Sequence, residues 1–152
     1  MIYLNPPPRI KVLEALGAIA DRRIKIIDEK SCRVTSSLGD KEYYVYVDLE
    51  RGVAYSDDNG TKYRSYIGYP IIAFLMLKGY LPYNERIAKG FKGIDWKILN
   101  ERYKKYSIVE RIVKKLANSR GIETKEIDLF VNEIMSILRR LKLKKLENIP
   151  IH

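Results

Sequence analysis

The sequence predicts an α+β fold: an N-terminal helix, an antiparallel meander of four or five strands, a buried central helix and a C-terminal bundle of three or four helices. Three observations carry this. The run Tyr69–Leu77 is the most apolar in the chain, and apolar on every face, so other elements have to enclose it. Apolar residues alternate with period two before it, and recur at helical spacing after it. A chain of 152 residues, 46% of them hydrophobic, suits one body with a core of useful size. We therefore expect residues 1–83 (helix, meander and core helix) and residues 84–152 (a helical subdomain) to pack together, because the link at Pro82 is short.

The first helix follows Pro6-Pro7-Pro8, with Val12, Leu13, Leu16 and Ile19 on one stripe. From Arg23 the period becomes two. Ile24 and Ile26 mark one short strand, and Cys32 and Val34 a second. After the turn Ser36–Asp40, Glu42–Asp48 is the strongest strand by β-branched and aromatic content, with Tyr43, Val45 and Val47 facing one way. A turn at Gly52 leads to Val53–Ser56, and Asp57-Asp58-Asn59-Gly60 reads as a hairpin into a further strand, Thr61–Ile67. Tyr69–Leu77 is helical because Pro70 suits a first turn, Ala, Leu and Met are good helix formers, and Lys78-Gly79 supplies a stop. It is too short to span a bilayer, which takes roughly 20 apolar residues.

A short amphipathic helix is expected over Glu85–Lys89. The next, Ile94 to Tyr106, places Trp96, Leu99, Tyr103 and Tyr106 on one stripe. Ser107 with Glu110 three residues on reads as a capping box for a helix burying Ile108, Val109, Ile112, Val113 and Leu116. The last helix starts near Lys125 and buries Ile127, Phe130, Val131, Ile134, Ile137, Leu138 and Leu141. Beyond Leu141 the register fails, since Leu143 and Leu146 leave the stripe, so the end frays, docks separately or meets a partner.

Lys and Arg total 29 against 19 Asp and Glu, a net charge of +10, which puts nucleic acid first among partners. The lone Cys32 excludes an internal disulfide, and the only other metal-type residue of its class, His152, is the last in the chain, so neither a Cys/His zinc site nor a Ser-His-Asp centre can be assembled. No structural metal or cofactor is expected. Met1 to Arg9 has no cationic lead into an apolar run, which is unlike a signal peptide and points to the cytoplasm. Heavy use of Lys, Glu, Ile and Tyr is the composition expected of a thermophile.

Residues 84–152 hold 17 Lys and Arg against 9 Asp and Glu, whereas residues 1–83 hold 12 against 10, so the positive field belongs to the helical half. Candidate nucleic-acid contacts are Lys114, Lys115, Arg120, Arg139, Arg140, Lys142, Lys144 and Lys145, with Lys62 and Arg64 from the meander. Cations late in a helix also serve its macrodipole, and that explanation stands beside the first. Nine tyrosines lie between Tyr43 and Tyr83. Among them Tyr44, Tyr46, Tyr55, Tyr63 and Tyr66 could form a stacking platform, or be ordinary strand residues.

The junction Leu116 to Phe130, with Ala117 at a crossing and Gly121 at the turn, resembles a helix-turn-helix. The segment from about Arg33 to Gly79 resembles the SWIM zinc-binding module, whose metal ligands would match Tyr55-Ser56-Asp57 and Gly68-Tyr69-Pro70. Every ligand is absent here. The resemblance implies a ββα unit that has lost its zinc, within a family associated with nucleic-acid and protein binding.

Asp48, Glu50, Asp57 and Asp58 lie near strand ends and would be the acids of a Mg²⁺ site, yet no nuclease spacing, phosphate loop or dinucleotide glycine pattern accompanies them. The expected function is therefore non-enzymatic nucleic-acid binding through phosphate contacts, with DNA and RNA both open. The alternative is a protein-interaction or homodimeric scaffold using the last helix and Leu143 and Leu146, and a metal-dependent nuclease comes third.

Overall fold

The structure is a computed structural model that describes residues 2–150. Helix α1 (Ile10–Ala20) opens directly after the prolines, and its Val12, Leu13 and Leu16 are fully buried. Strands β1 (Ile24–Ile26), β2 (Ser31–Thr35), β3 (Glu42–Asp48) and β4 (Val53–Ser56) form the expected antiparallel meander, in sheet order as in the chain. Val34 pairs with Tyr43, Cys32 with Val45, and Val45 with Ser56, so Cys32, Val34 and Val45 turn to one buried face. Against that face lies α3 (Tyr69–Leu77), buried from Pro70 to Met76, and α1 covers its other side. An apolar run without a polar face ends up between a helix and a sheet because no orientation would spare it water otherwise.

Asp57 to Gly60 is not a hairpin. Asp58 is the N-cap of a short helix, α2 (Asn59–Arg64), its carboxylate accepting from the Thr61 N–H at 3.1 Å. Asp, Asn and Gly favour tight turns and helix caps alike, and here packing decides: a Cβ on Gly60 would stand 2.3 Å from the Tyr66 ring. The predicted strand Thr61–Ile67 is therefore absent. A fifth strand comes instead from the far end of the chain, where β5 (Lys144–Lys145) pairs parallel with β4. Tyr3 bridges to Lys144 on its outer side, with Leu4 N donating to Leu143 O at 2.8 Å.

The helical half comprises α4 (Glu85–Lys89), α5 (Trp96–Tyr103), α6 (Tyr106–Ser119) and α7 (Thr124–Arg140). α5 stops at Tyr103 because Lys104 takes a left-handed conformation, so Tyr106 opens α6 instead of completing the α5 stripe. Ser107 does not cap α6; Lys105 stands at that position without a side-chain cap, and the capping box joins Glu123 and Glu126 at the start of α7. Along α6 the buried line is Val109, Val113 and Ala117, narrower than expected, and Leu116 is left exposed. α7 buries Ile127, Phe130, Val131, Ile134 and Leu138 as its periodicity requires. Past it the chain docks: Leu143 is 1% exposed, within the same core, so this leucine is no surface for a partner.

One continuous core runs from Leu4 through α1, α3 and the sheet to Trp96, Val113, Ile134 and Leu143, joining the parts on either side of Pro82. Among the described residues no helix is long and apolar enough to cross a membrane.

Candidate functional site

Lys145, one of the ten candidate cations, is 8% exposed and faces inward. Its ammonium donates to Lys62 O at 2.8 Å and to Ser65 Oγ at 3.1 Å, which straps the end of α2 to β5. Asn5 N donates to Ser65 O at 2.8 Å and strengthens the strap. The strap ties together two elements that each carry a cluster of cations and a ring: Lys62, Tyr63 and Arg64 on α2, and Lys142 and Lys144 beside Tyr3 at β5. Lys62 Nζ lies 5.4 Å from the centroid of the Tyr63 ring, and Lys142 and Lys144 lie 5.9 and 5.8 Å from that of Tyr3. Both rings are exposed, Tyr63 at 69% and Tyr3 at 50%. Among the described residues none of Lys62, Arg64, Lys142 and Lys144 makes an ion pair, so their charge is available to solvent. Arg139 and Arg140, exposed in the last turn of α7, continue the cluster toward Lys142.

The remaining candidates are placed differently. Lys114 sits between Glu110, at 2.6 Å, and Asp128. Arg120 donates to the carbonyl oxygens of Lys89, Gly90 and Lys92, closing the end of α6 onto the α4 loop. Lys115 is exposed on α6. At the start of α7, the second helix of the junction that resembles a helix-turn-helix, Glu126 pairs with Arg86, and Asp128 with Arg9 and Lys114, so both carboxylates are engaged within the fold. The five tyrosines do not form one platform: Tyr46 is 4% exposed, Tyr44 and Tyr55 pack on each other at 6.2 Å, and Tyr66 turns to a cavity. Tyr3, which lies outside the tyrosine-rich segment, takes their place.

The acids considered for Mg²⁺ are dispersed. Asp48 pairs with Lys30 at 3.1 Å and accepts from the Arg51 N–H, Asp57 accepts from the Tyr44 N–H, and Asp58 caps α2. Among the described residues no group of three or more His, Cys, Asp or Glu could hold a metal ion. His152 lies outside them.

Beside the basic face opens a cavity of about 680 Å³ between α1, the β2–β3 turn, α2 and α5, with Tyr63 and Arg64 at its mouth. Glu14 is 4% exposed on its wall, 2.8 Å from the Lys11 ammonium. Burial pushes the Glu14 carboxyl up, against the pull of Lys11. Burial by itself would lower the Lys11 ammonium, but the Glu14 carboxylate and the nearby Tyr66 outweigh it and hold the group above its usual range. Burial likewise raises the phenols of Tyr66 and Tyr69. Trp96 closes one side, and only a glycine at position 17 allows it, because a Cβ there would stand 2.9 Å from the indole nitrogen. This site is not visible from periodicity: Glu14 sits within the apolar stretch Val12–Ala20, and its one signal is Lys11 at i,i+3.

No curated protein and no solved structure matches the chain. Over residues 4–144, which include α1, the sheet, every helix and the first residue of β5, it belongs to the family described as uncharacterised conserved protein UCP014422.

Proposed function

We propose that this protein is a non-enzymatic nucleic-acid-binding protein that holds a single strand by its phosphates and stacks unpaired bases on two exposed tyrosines. The observation that carries the reading is the strap from Lys145, which ties α2, with Lys62 over the exposed Tyr63 ring and Arg64 beside it in sequence, to β5, where Lys142 and Lys144 lie over the exposed Tyr3 ring. Cations without internal partners, interleaved with exposed rings, suit a flexible polyanion, since every base has a stacking face and every nucleotide a phosphate. A duplex would offer the phosphates but bury the bases.

The test is titration of a labelled single-stranded oligonucleotide at several salt concentrations. Log K should fall linearly with log salt, by about 0.7 for every phosphate that the protein neutralises on a single strand. Changing Lys62, Arg64, Lys142 and Lys144 to Gln should lower that slope by about 0.7 for each phosphate no longer neutralised, up to about 3 in all. Changing Lys25, Lys92, Arg111 and Lys125, exposed cations outside this face, removes the same charge and should leave the slope within about one unit of the parent. Equal slopes for the two variants would dismiss the face as the site.

A further inference from the structure

We infer that the outer margin of β1 is a docking edge for an extended segment of a partner protein in which apolar and acidic residues alternate, taken up as a further strand of the sheet. β1 and β5 stand at opposite ends of the sheet order, so the inference is independent of the basic face.

The hydrogen-bonding direction along β1 follows from its neighbours. Thr35 N donates to Arg23 O and Ile27 N to Ser31 O, and Lys25 is paired with Arg33 between them. In an antiparallel ladder residues bonded to the neighbour alternate with residues that are not, so the N–H and C=O groups of Ile24 and Ile26 point away from β2. Among the described residues no strand or bridge pairs with that side. The opposite margin is treated differently: Tyr3 bridges to Lys144, and Leu4 N donates to Leu143 O. One end of the sheet is closed by the chain itself, and the other presents backbone donors and acceptors at the spacing of a strand.

The side chains along the edge decide what kind of strand fits. Ile24 and Ile26 share the face of Cys32 and Val34, which α3 covers; Ile24 packs against the core, whereas Ile26 is 43% exposed. Residues of an incoming strand opposite these two would fall on the same face and extend the core sideways, which suits apolar side chains. Lys25 points to the other face, in a row with Arg33 and Tyr44. The acids near it are all engaged. Asp21 pairs with Arg23, and Asp28 accepts from the Lys30 N–H and Ser31 Oγ. Glu29 faces the Lys78 ammonium at 3.5 Å, and Glu42 the Arg33 guanidinium at 3.0 Å. Among the described residues Lys25 and Arg22, both exposed, make no ion pair. A carboxylate opposite Lys25 would answer that charge across the closely spaced, non-hydrogen-bonded kind of pair.

A second copy of the chain fits this edge poorly. In the antiparallel register that uses every edge group, Ile24 meets Ile26 and Lys25 stands opposite its own counterpart, where like charges repel. The lysine that guards the edge against self-association is the one that selects an acidic strand.

The probe is a capped, fluorescently labelled peptide, Thr-Val-Glu-Val-Glu-Val-Thr, titrated with the full chain while anisotropy is followed; its comparison carries Lys in place of both Glu. Saturable binding of the acidic peptide is expected at millimolar concentration or below, with the lysine peptide weaker by about tenfold. N-methylation of the valines, whose N–H groups face Ile24 and Ile26 in this pairing, should abolish binding, and N-methylation of the glutamates, whose N–H groups face away, should not. Amide exchange at Ile24 and Ile26 should slow when the acidic peptide binds. Lys25→Glu should reverse the preference between the two peptides at an unchanged melting midpoint. Absence of saturable binding overturns the inference even if oligonucleotides bind the basic face. Equal affinity for the acidic and lysine peptides, indifference to methylation of the valines, or protection that falls outside β1 overturns it as well. A dimer of the unliganded protein in which the Ile24 and Ile26 amides are already protected gives the edge to a second copy and likewise overturns it. Binding of the acidic peptide with the expected protection, in a protein that binds no oligonucleotide, upholds the edge and removes the face.

Discussion

Asp48 shows how far a side chain's role depends on its surroundings. In sequence it is one of four acids near strand ends; in the fold it is 4% exposed, accepts from the Arg51 N–H and faces the Lys30 ammonium. The Arg51 N–H, then Lys30, hold its carboxyl below the usual carboxylate range. A carboxyl whose folded pKa lies below its unfolded value of about 3.9 contributes stability that is fully present above that pH and is lost as pH falls through the folded value. Denaturant melts of the parent and of Asp48→Asn should therefore differ most at neutral pH, with the parent the more stable, and converge as the medium becomes strongly acidic. A constant difference across the acid range would mean that the ionised form has no special role.

At the scale of elements, the short pieces are the ones that tertiary contacts assign. α1, α3 and α7 follow their apolar spacing, since each buries enough surface for its own pattern to dominate. α2 and β5 have only six and two residues, and other parts of the molecule hold them. Lys145→Met tests that dependence, since it keeps the apolar stem and deletes the ammonium that binds α2. The loss should be about 1–3 kcal/mol, the usual consequence of removing a charged donor from partly buried acceptors. Amide exchange should quicken over residues 59–65, and oligonucleotide affinity should fall although Lys145 itself points away from the strand. Unchanged exchange there would show that Asn5 alone is a sufficient strap.

The whole molecule is unified by one core that crosses the link at Pro82. Leu4 and Leu143, near the two ends of the chain, belong to it, and Tyr3 and Lys144 pair in the sheet margin. Such a core should unfold as a unit, with a single calorimetric transition whose measured enthalpy equals its van't Hoff value. Two separated transitions would place an independent domain on one side of Pro82. The net charge of +10 is also a property of the whole, but its placement is local: Lys11, Lys114, Arg120 and Lys145 are taken up by internal partners, Lys62, Arg64, Lys142 and Lys144 lie where α2 meets β5, and other exposed cations such as Lys25 and Lys125 lie elsewhere.

By itself the sequence determined the α+β class, the first four strands of the meander, though it added a further strand at Thr61–Ile67 where the helix α2 runs, the enclosed helix Tyr69–Leu77 and the helical pattern after Ile94, because periodicity and apolar content act within a window of one element. Only the tertiary structure decided that Asp58 caps a helix, that Lys145 points inward, that Tyr3 and not Tyr46 is an exposed ring, and that Glu14 faces a cavity. The Asp58 cap was decided within its own segment, by Thr61 and by Tyr66 against Gly60, in a composition that suits turns and caps alike; the others depend on residues dozens of positions away, as Lys145 on Lys62 or Gly17 on Trp96, and no local pattern records a contact across that distance.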